Sequence, residues 1–133
     1  MVVRREGDAV GRVEDGMPYR WGQLYAALVA MRSLAGTGRI APAPPREVAA
    51  TTGNPYNDCK GLLREVGLHL FAARERGGTS ADAAVVIMDD IARLTPPRRE
   101  SRGTLDQQEA KEFVQGHEDR FAAYRKAWES LTG

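Results

Sequence analysis

The sequence predicts an all-α fold, a small bundle of about five helices, on three observations. Apolar residues recur at three- and four-residue spacing in five stretches, which is the period of a helix with one buried face. Glycine and proline clusters separate these stretches. The one run rich in β-branched residues, Val85 to Ile87, lies inside a helical pattern. With 133 residues, 42% of them hydrophobic, the chain has the size of a single domain.

The first two predicted helices are separated by a proline-rich connector, IAPAPP. Helix one runs from about Pro18 to Ala35 and ends at a Gly-Thr-Gly sequence. Pro45 then begins a short helix of about two turns that reaches Thr52 and is closed by Gly53. The apolar face of helix one comprises Trp21, Leu24, Tyr25, Leu28 and Met31.

The third predicted helix has a strong start signal. Asn54 is a favourable N-cap, and Pro55 follows at the first helical position. The helix should end near the glycine pair at 77 and 78. Its apolar stripe comprises Tyr56, Cys59, Leu62, Leu63, Val66 and Leu70.

Capping patterns open the last two predicted helices. Thr79, three residues before Asp82, begins helix four, which two prolines stop after Leu94. Thr104, three residues before Gln107, begins helix five, which extends over about 27 residues. Aromatic side chains at helical spacing on helices one and five are expected to fill the core, namely Trp21, Tyr25, Phe121, Tyr124 and Trp128.

Several classes of function are excluded by absence of their signals. No apolar run is long enough to span a membrane, and the charged start lacks the apolar core of a secretory signal, so we expect a cytoplasmic protein. The single cysteine, Cys59, forms neither an internal disulfide nor a zinc site and is expected to be buried. We expect no cofactor, no metal and no enzymatic activity, because His69 and His117 lack a partner arrangement.

The domain organisation follows from composition. Residues 1–17, rich in charge and glycine, are expected to form a flexible N-terminal segment, and residues 18–133 a single helical-bundle domain. Within that domain, Asp82, Asp89 and Asp90 give helix four an acidic face that we interpret as solvated. Neighbouring carboxylates on a helix diverge by about 100°, so they need not share a proton.

The net charge of +1 conceals a segregation of charge along the chain. No acidic residue lies between Gly16 and Arg46, and a second basic cluster, relieved only by Glu100, lies before helix five. These stretches are candidate phosphate-binding surfaces. Two alternatives explain the basic residues without a ligand. High arginine usage can reflect a GC-rich coding sequence, and basic residues near the end of helix five can complement its dipole. The candidates are Arg20, Arg32, Arg39, Arg98, Arg99 and Arg102.

A second candidate surface is a helix-turn-helix pattern in REVAATTGNPYNDCKGLLREVG. Ala49 would allow a close crossing of two helices, and Gly53 would turn the chain. The second helix would then present Asn57, Lys60 and Arg64 to a major groove.

The stretch TLDQQEAKEFVQGHEDR resembles the C-terminal helix of the type I-C CRISPR large subunit, whose end is also produced separately as the small subunit of the Cascade complex. The matching residues are Thr104, Leu105, Glu109, Phe113 and Gly116, without a gap. Two more stretches resemble that family in the same order: PYRWGQLYAAL matches its opening helix, and NPYNDCKGLLREVGLHL its Leu-Leu-Arg helix.

The chain departs from the family pattern in two places. The aromatic cluster after the helix glycine is replaced by His117, Glu118 and Asp119, and the proline-rich connector replaces the segment before the second match. The resemblance implies a non-catalytic subunit that contacts other Cascade-type subunits and copies of itself and holds a displaced DNA strand or the guide backbone. It adds a third set of phosphate contacts on the last helix, Arg120, Arg125 and Lys126. Acidic residues such as Asp106, Glu109 and Glu112 would meet basic patches of neighbouring subunits.

Two other functions remain open on the sequence. A helix-turn-helix regulator would bind a preferred duplex sequence as a dimer. A phage or accessory protein-binding module, such as a CRISPR inhibitor, would bind no nucleic acid.

Overall fold

The computed structural model describes residues 16–96 and 103–132, and this part of the chain contains six helices. The described part is 82% helical, has no strand and forms a compact bundle, which confirms the all-α prediction. Residues 1–15 of the expected N-terminal segment lie outside the described residues. The helices are α1 Met17–Thr37, α2 Pro45–Thr51, α3 Pro55–Glu75, α4 Gly78–Leu94, α5 Gln107–Ala127 and α6 Glu129–Thr132.

Helix α1 is the centre of the bundle and contacts α3, α4 and α5. Its buried side chains lie on every side of the helix, with Leu24, Ala27, Met31 and Leu34 fully enclosed. A helix that is apolar all round requires partners on all sides. The other long helices therefore need only one apolar stripe each, as the predicted pattern of α3 indicates.

Contacts at the two ends of α1 show that α3 runs parallel to it and α4 runs opposite. Near the start of α1, the ring of Trp21 lies 5.9 Å from that of Tyr56, at the start of α3. Near its end, the guanidinium of Arg76 donates to the carbonyls of Ala35 and Gly36 at 3.2 and 2.8 Å. Helix α4 ends beside the start of α1, where the Arg20 guanidinium donates to the carbonyl of Leu94 at 2.9 Å.

Two glycines bring the backbones of α1 and α5 into direct contact. A Cβ on Gly22 would lie 2.0 Å from the carbonyl oxygen of Phe113, and one on Gly116 would lie 2.1 Å from that of Tyr19. No side chain fits at either position, so glycine is required for this crossing. The Tyr19 hydroxyl donates to the Asp119 carboxylate at 2.6 Å across the same contact.

The predicted start of α3 is confirmed, whereas those of α4 and α5 are wrong. The Asn54 side chain accepts from the backbone N–H of Asn57. Helix α4 starts after Gly77, which has a positive φ of 72° and no side-chain cap, and Thr79 lies within the helix. The N-cap of α5 is Asp106, which forms a capping box with its third helical residue.

The predicted fifth helix is also shorter than expected. Thr104 lies before its cap and donates to the carbonyl of Gly53 at 2.9 Å, tying the start of α5 to that of α3. At the other end the helix stops at Ala127, because Trp128 leaves helical geometry with φ −127° and ψ 52°. A single further turn, α6, follows and buries Leu131.

The core contains the aromatic residues that periodicity predicted, whereas helix four requires a correction. Trp21, Tyr25, Phe121 and Tyr124 are buried, and Trp128 packs against them half-buried. Asp90, expected on a solvated face, is only 6% exposed. Its carboxylate lies between α4 and α5, in contact with Tyr124 and Arg120. The apolar pattern of α4 alone does not predict this position.

Candidate nucleic-acid interface

The predicted phosphate contacts divide into those that the fold already uses and those that face solvent. Arg98, Arg99 and Arg102 lie outside the described residues. The remaining candidates are spread over α1, the connector, α3 and α5. Their hydrogen bonds and ion pairs decide which of them keep donors for a phosphate group.

Arg20 forms hydrogen bonds within the fold. Its guanidinium donates to the carbonyls of Arg93, Leu94 and Thr95 at 3.0, 2.9 and 3.3 Å. These are carbonyls of the last turn of α4, which no backbone N–H of that helix satisfies. Arg20 therefore caps α4 and joins it to the start of α1, so most of its donors are occupied.

Arg32 and Arg120 each have an acidic partner. Arg32 lies 3.3 Å from the carboxylate of Glu47, and both side chains are exposed, so the pair is worth about 0–1 kcal/mol and a phosphate group can displace it. Arg120 is largely enclosed, and its guanidinium lies 3.6 Å from the buried Asp90. Releasing Arg120 would leave Asp90 without part of its charge compensation.

Arg39, Arg125 and Lys126 lie near the end of the bundle where α1 and α5 finish, and we call them the terminal basic set. The N–H of Ile40 donates to the carbonyl of Leu131 at 3.1 Å, which brings the connector beside α6. All three side chains are exposed, and none has an acidic partner in the part of the chain that the structure describes. The Arg125 guanidinium stacks 4.8 Å above the ring of Phe121, which leaves its edge free for phosphate oxygens.

Lys60 and Arg64 are exposed on α3, as a groove-reading helix would require, but the helix pair itself is not packed as predicted. A cavity of about 380 Å³ opens between α2 and α3, lined on the α2 side by Glu47, Ala50 and Thr51. Ala49, expected at a close crossing with α3, instead lines grooves against α5. The compact α2–α3 unit of a helix-turn-helix is therefore not formed.

The titratable groups with clearly altered pKa values are buried in the bundle. Burial raises the pKa of the Cys59 thiol far above its usual range, so this fully enclosed cysteine stays protonated. Burial lowers the pKa of His117, and neither of its ring nitrogens has a hydrogen-bond partner among the described residues. Burial likewise raises the pKa of Tyr124, whose hydroxyl donates to Asp90.

Two features were missed at the sequence level. The first is the burial of the Asp90 carboxylate, for which the sequence carries no signal because two of its partners, Tyr124 and Arg120, come from α5. The second is an exposed apolar pair on α3, Leu68 and Phe71, with 72% and 65% of their surface accessible. A helical wheel would have found this pair, since both fall away from the stripe that begins at Cys59.

Within the described residues, no group of three metal-ligating side chains is close enough to hold an ion. No helix in the described ranges is both long and apolar enough to cross a membrane. A scan against protein-family models finds no match to the chain, and no curated protein matches it significantly.

Proposed function

We propose that this chain is a non-catalytic, cytoplasmic small subunit of a CRISPR-Cascade-like effector complex. In this role it contacts neighbouring subunits and copies of itself, and it holds the backbone of a displaced DNA strand or of the guide duplex. Contacts of this kind require cations at the surface and no base readout, since the sequence is read by base pairing.

The observation that supports this proposal most is where the residues of the family resemblance lie. Gly22 and Gly116 come from two stretches separated by most of the chain, yet they meet at one helix crossing. Phe113 is fully buried at that crossing, and Glu109 closes the capping box of α5. Residues that resemble the family by position thus cooperate in one structural unit, and this supports the proposal.

The terminal basic set supports the nucleic-acid part of the proposal. Among the described residues its three cations form no ion pair, so phosphate contact displaces none there. Each contact releases counterions from the nucleic acid, which makes binding sequence-independent and sensitive to salt. We expect Lys60 to add a more distant contact on α3.

A salt titration with a matched pair of variants tests this assignment. The chain is titrated onto single-stranded DNA, RNA and mixed-sequence duplex, with Arg39→Ala/Lys126→Ala as the test variant. Removing two phosphate contacts should reduce the slope of log K against log salt by about 1.4 on a single strand. The control, Arg46→Ala/Lys111→Ala, removes the same charges from exposed positions elsewhere and should leave the slope nearly unchanged.

The alternatives predict other outcomes of the same experiment. Sequence-selective duplex binding would favour a regulator, although the open cavity between α2 and α3 does not support one. Absence of binding to any nucleic acid would favour a protein-binding module such as a phage inhibitor. Equal losses in the test and control variants would contradict the terminal basic set as the contact surface.

A further inference from the structure

The exposed apolar pair on α3 has no role inside the described bundle. Leu68 and Phe71 are the most exposed large hydrophobic residues of the described chain, at 72% and 65%. The buried side of α3 carries Cys59 and Ala73. At about 100° per residue, Leu68 falls opposite that side. Large apolar side chains placed together on the outer side of a surface helix indicate an interaction site.

Two oppositely charged residues flank this pair at the spacing of helix–helix interfaces. Arg64, Leu68, Phe71 and Glu75 follow one another at intervals of four, three and four residues, so they form one stripe on α3. Arg64 and Glu75 are exposed, and neither has an ion-pair partner among the described residues. The stripe therefore reads basic, apolar, apolar, acidic along the helix.

We propose that α3 pairs with α3 of a second copy of this chain in an antiparallel, two-fold symmetric dimer through this stripe. Reversing the stripe exchanges its ends, so Leu68 packs against the partner's Phe71 and Arg64 faces the partner's Glu75. Each contact occurs twice, as a two-fold interface requires. The charge order excludes a parallel pairing in register, which would place like charges opposite one another.

The glycines of α3 agree with a close approach by another helix. Gly61 and Gly67 lie within the helix, where glycine costs about 0.5–1 kcal/mol relative to alanine. A Cβ at either position would meet nothing within 4 Å, so packing inside the chain does not require them. Gly67 lies beside the stripe, where the absence of a side chain lets a second backbone come near, whereas Gly61 lines the cavity between α2 and α3.

The proposed dimer is separate from the nucleic-acid assignment, since it uses none of the terminal basic set. Its interface is one helix pair, smaller than the roughly 1,600 Å² of a standard protein complex. We therefore expect a dissociation constant in the micromolar range, which sedimentation equilibrium of the full chain can measure between roughly 1 and 500 µM.

Charge exchange gives the sharpest test of this pairing. Arg64→Glu and Glu75→Arg each place like charges opposite one another at two symmetric points, so each should weaken the dimer about tenfold. Combining them restores opposite charges at both points, and the double variant should dimerise like the wild type. A variant that disturbed only the fold of α3 would show no such recovery, and circular dichroism would record the loss of helix.

Removal of the apolar pair tests the centre of the interface. Leu68→Ser/Phe71→Ser should be monomeric throughout the range with unchanged helical content, whereas Val86→Ser removes exposed apolar surface from α4 and should leave dimerisation intact. A wild-type chain that is monomeric at 500 µM would overturn the proposal. So would a dimer that survives the loss of both apolar side chains, or a double charge exchange that fails to restore dimerisation.

Discussion

Asp90 shows how one residue acquires a role that its own helix does not reveal. The Tyr124 hydroxyl donates to its carboxylate at 2.9 Å, the Arg93 guanidinium donates to the other oxygen, and Arg120 lies at 3.6 Å. A buried carboxylate requires such partners, because transfer from water without them costs several kcal/mol. The carboxylate thus links α4 to α5, two helices whose direct packing is otherwise slight.

Loss of this carboxylate should destabilise the fold strongly. Asp90→Ala leaves the Tyr124 hydroxyl without its acceptor and Arg120 without its counter-charge, and we expect a loss of about 3 kcal/mol in the free energy of unfolding. Urea denaturation measures this directly. The neighbouring Asp89, 71% exposed and paired with Arg93, is the matched control. Its change to alanine should cost less than about 1 kcal/mol, and equal losses for the two would contradict the assignment.

The burial of single residues was predictable where it depended on the periodicity of one helix. Cys59 and Phe121 were expected in the core and lie there. The environment of Asp90 depends instead on Tyr124 and Arg120, which are 34 and 30 positions away in the sequence. No local pattern encodes such a pairing, and for that reason its face was interpreted as solvated.

Among the elements, the crossing of α1 and α5 places the strictest demand on the sequence. Gly22 faces the backbone of α5, and Gly116 faces the backbone of α1, so each glycine fits the space that the other helix leaves. Side chains larger than hydrogen would force the two helices apart and open the core around Phe113. The crossing therefore depends on two residues that contribute no apolar surface of their own.

Substitution of a glycine at this crossing should have an effect on stability of the opposite sign to substitution of a glycine in an open part of α1. Gly116→Ala introduces a Cβ about 2.1 Å from the Tyr19 carbonyl oxygen, and the resulting separation should cost more than about 3 kcal/mol. Gly36→Ala, in the last turn of α1, meets nothing within 4 Å and should stabilise the chain by about 0.5 kcal/mol. Thermal unfolding of both variants checks the signs, and destabilisation by both would contradict this explanation.

Helix positions were predictable from hydrophobic period and proline placement, whereas two of the starts were not. Pro18, Pro45 and Pro55 lie in the first turns of their helices as expected. Thr79 and Thr104 satisfied a capping pattern without serving as caps. Both Thr104 and Asp106 fit such a pattern, and the choice between them depends on the contact of Thr104 with Gly53 in another part of the chain.

For the whole molecule, the predicted basic surface divides into structural and available cations. Charge counting identified Arg20 and Arg39 alike, but Arg20 serves as a cap for α4 while Arg39 faces solvent. The sequence could not separate them, because a guanidinium satisfies carbonyls as readily as phosphate oxygens. Only the assembled bundle shows that three of the available cations lie where α1 and α5 finish, while Lys60 and Arg64 lie apart on α3.

The stability of the whole bundle should depend on pH through His117. This side chain is 2% exposed beside the ring of Tyr25, and burial lowers its pKa although Glu118, 3.9 Å away, opposes the shift. In the unfolded chain the imidazole binds a proton below about pH 6.5, whereas the folded state keeps it neutral to lower pH. The unfolded state therefore gains protons first, and stability falls as the pH drops below that value.

A His117→Phe variant isolates this contribution, since phenylalanine also fills the site with an aromatic ring but cannot be protonated. We expect the wild type to lose up to about 1.4 kcal/mol of unfolding free energy per pH unit relative to the variant below about pH 6.5, down to the folded-state pKa. Above pH 7 the difference between the two should be constant. Urea denaturation in steps between roughly pH 5 and 8 measures both curves, and parallel curves across that range would show that His117 is protonated equally in the folded and unfolded chain.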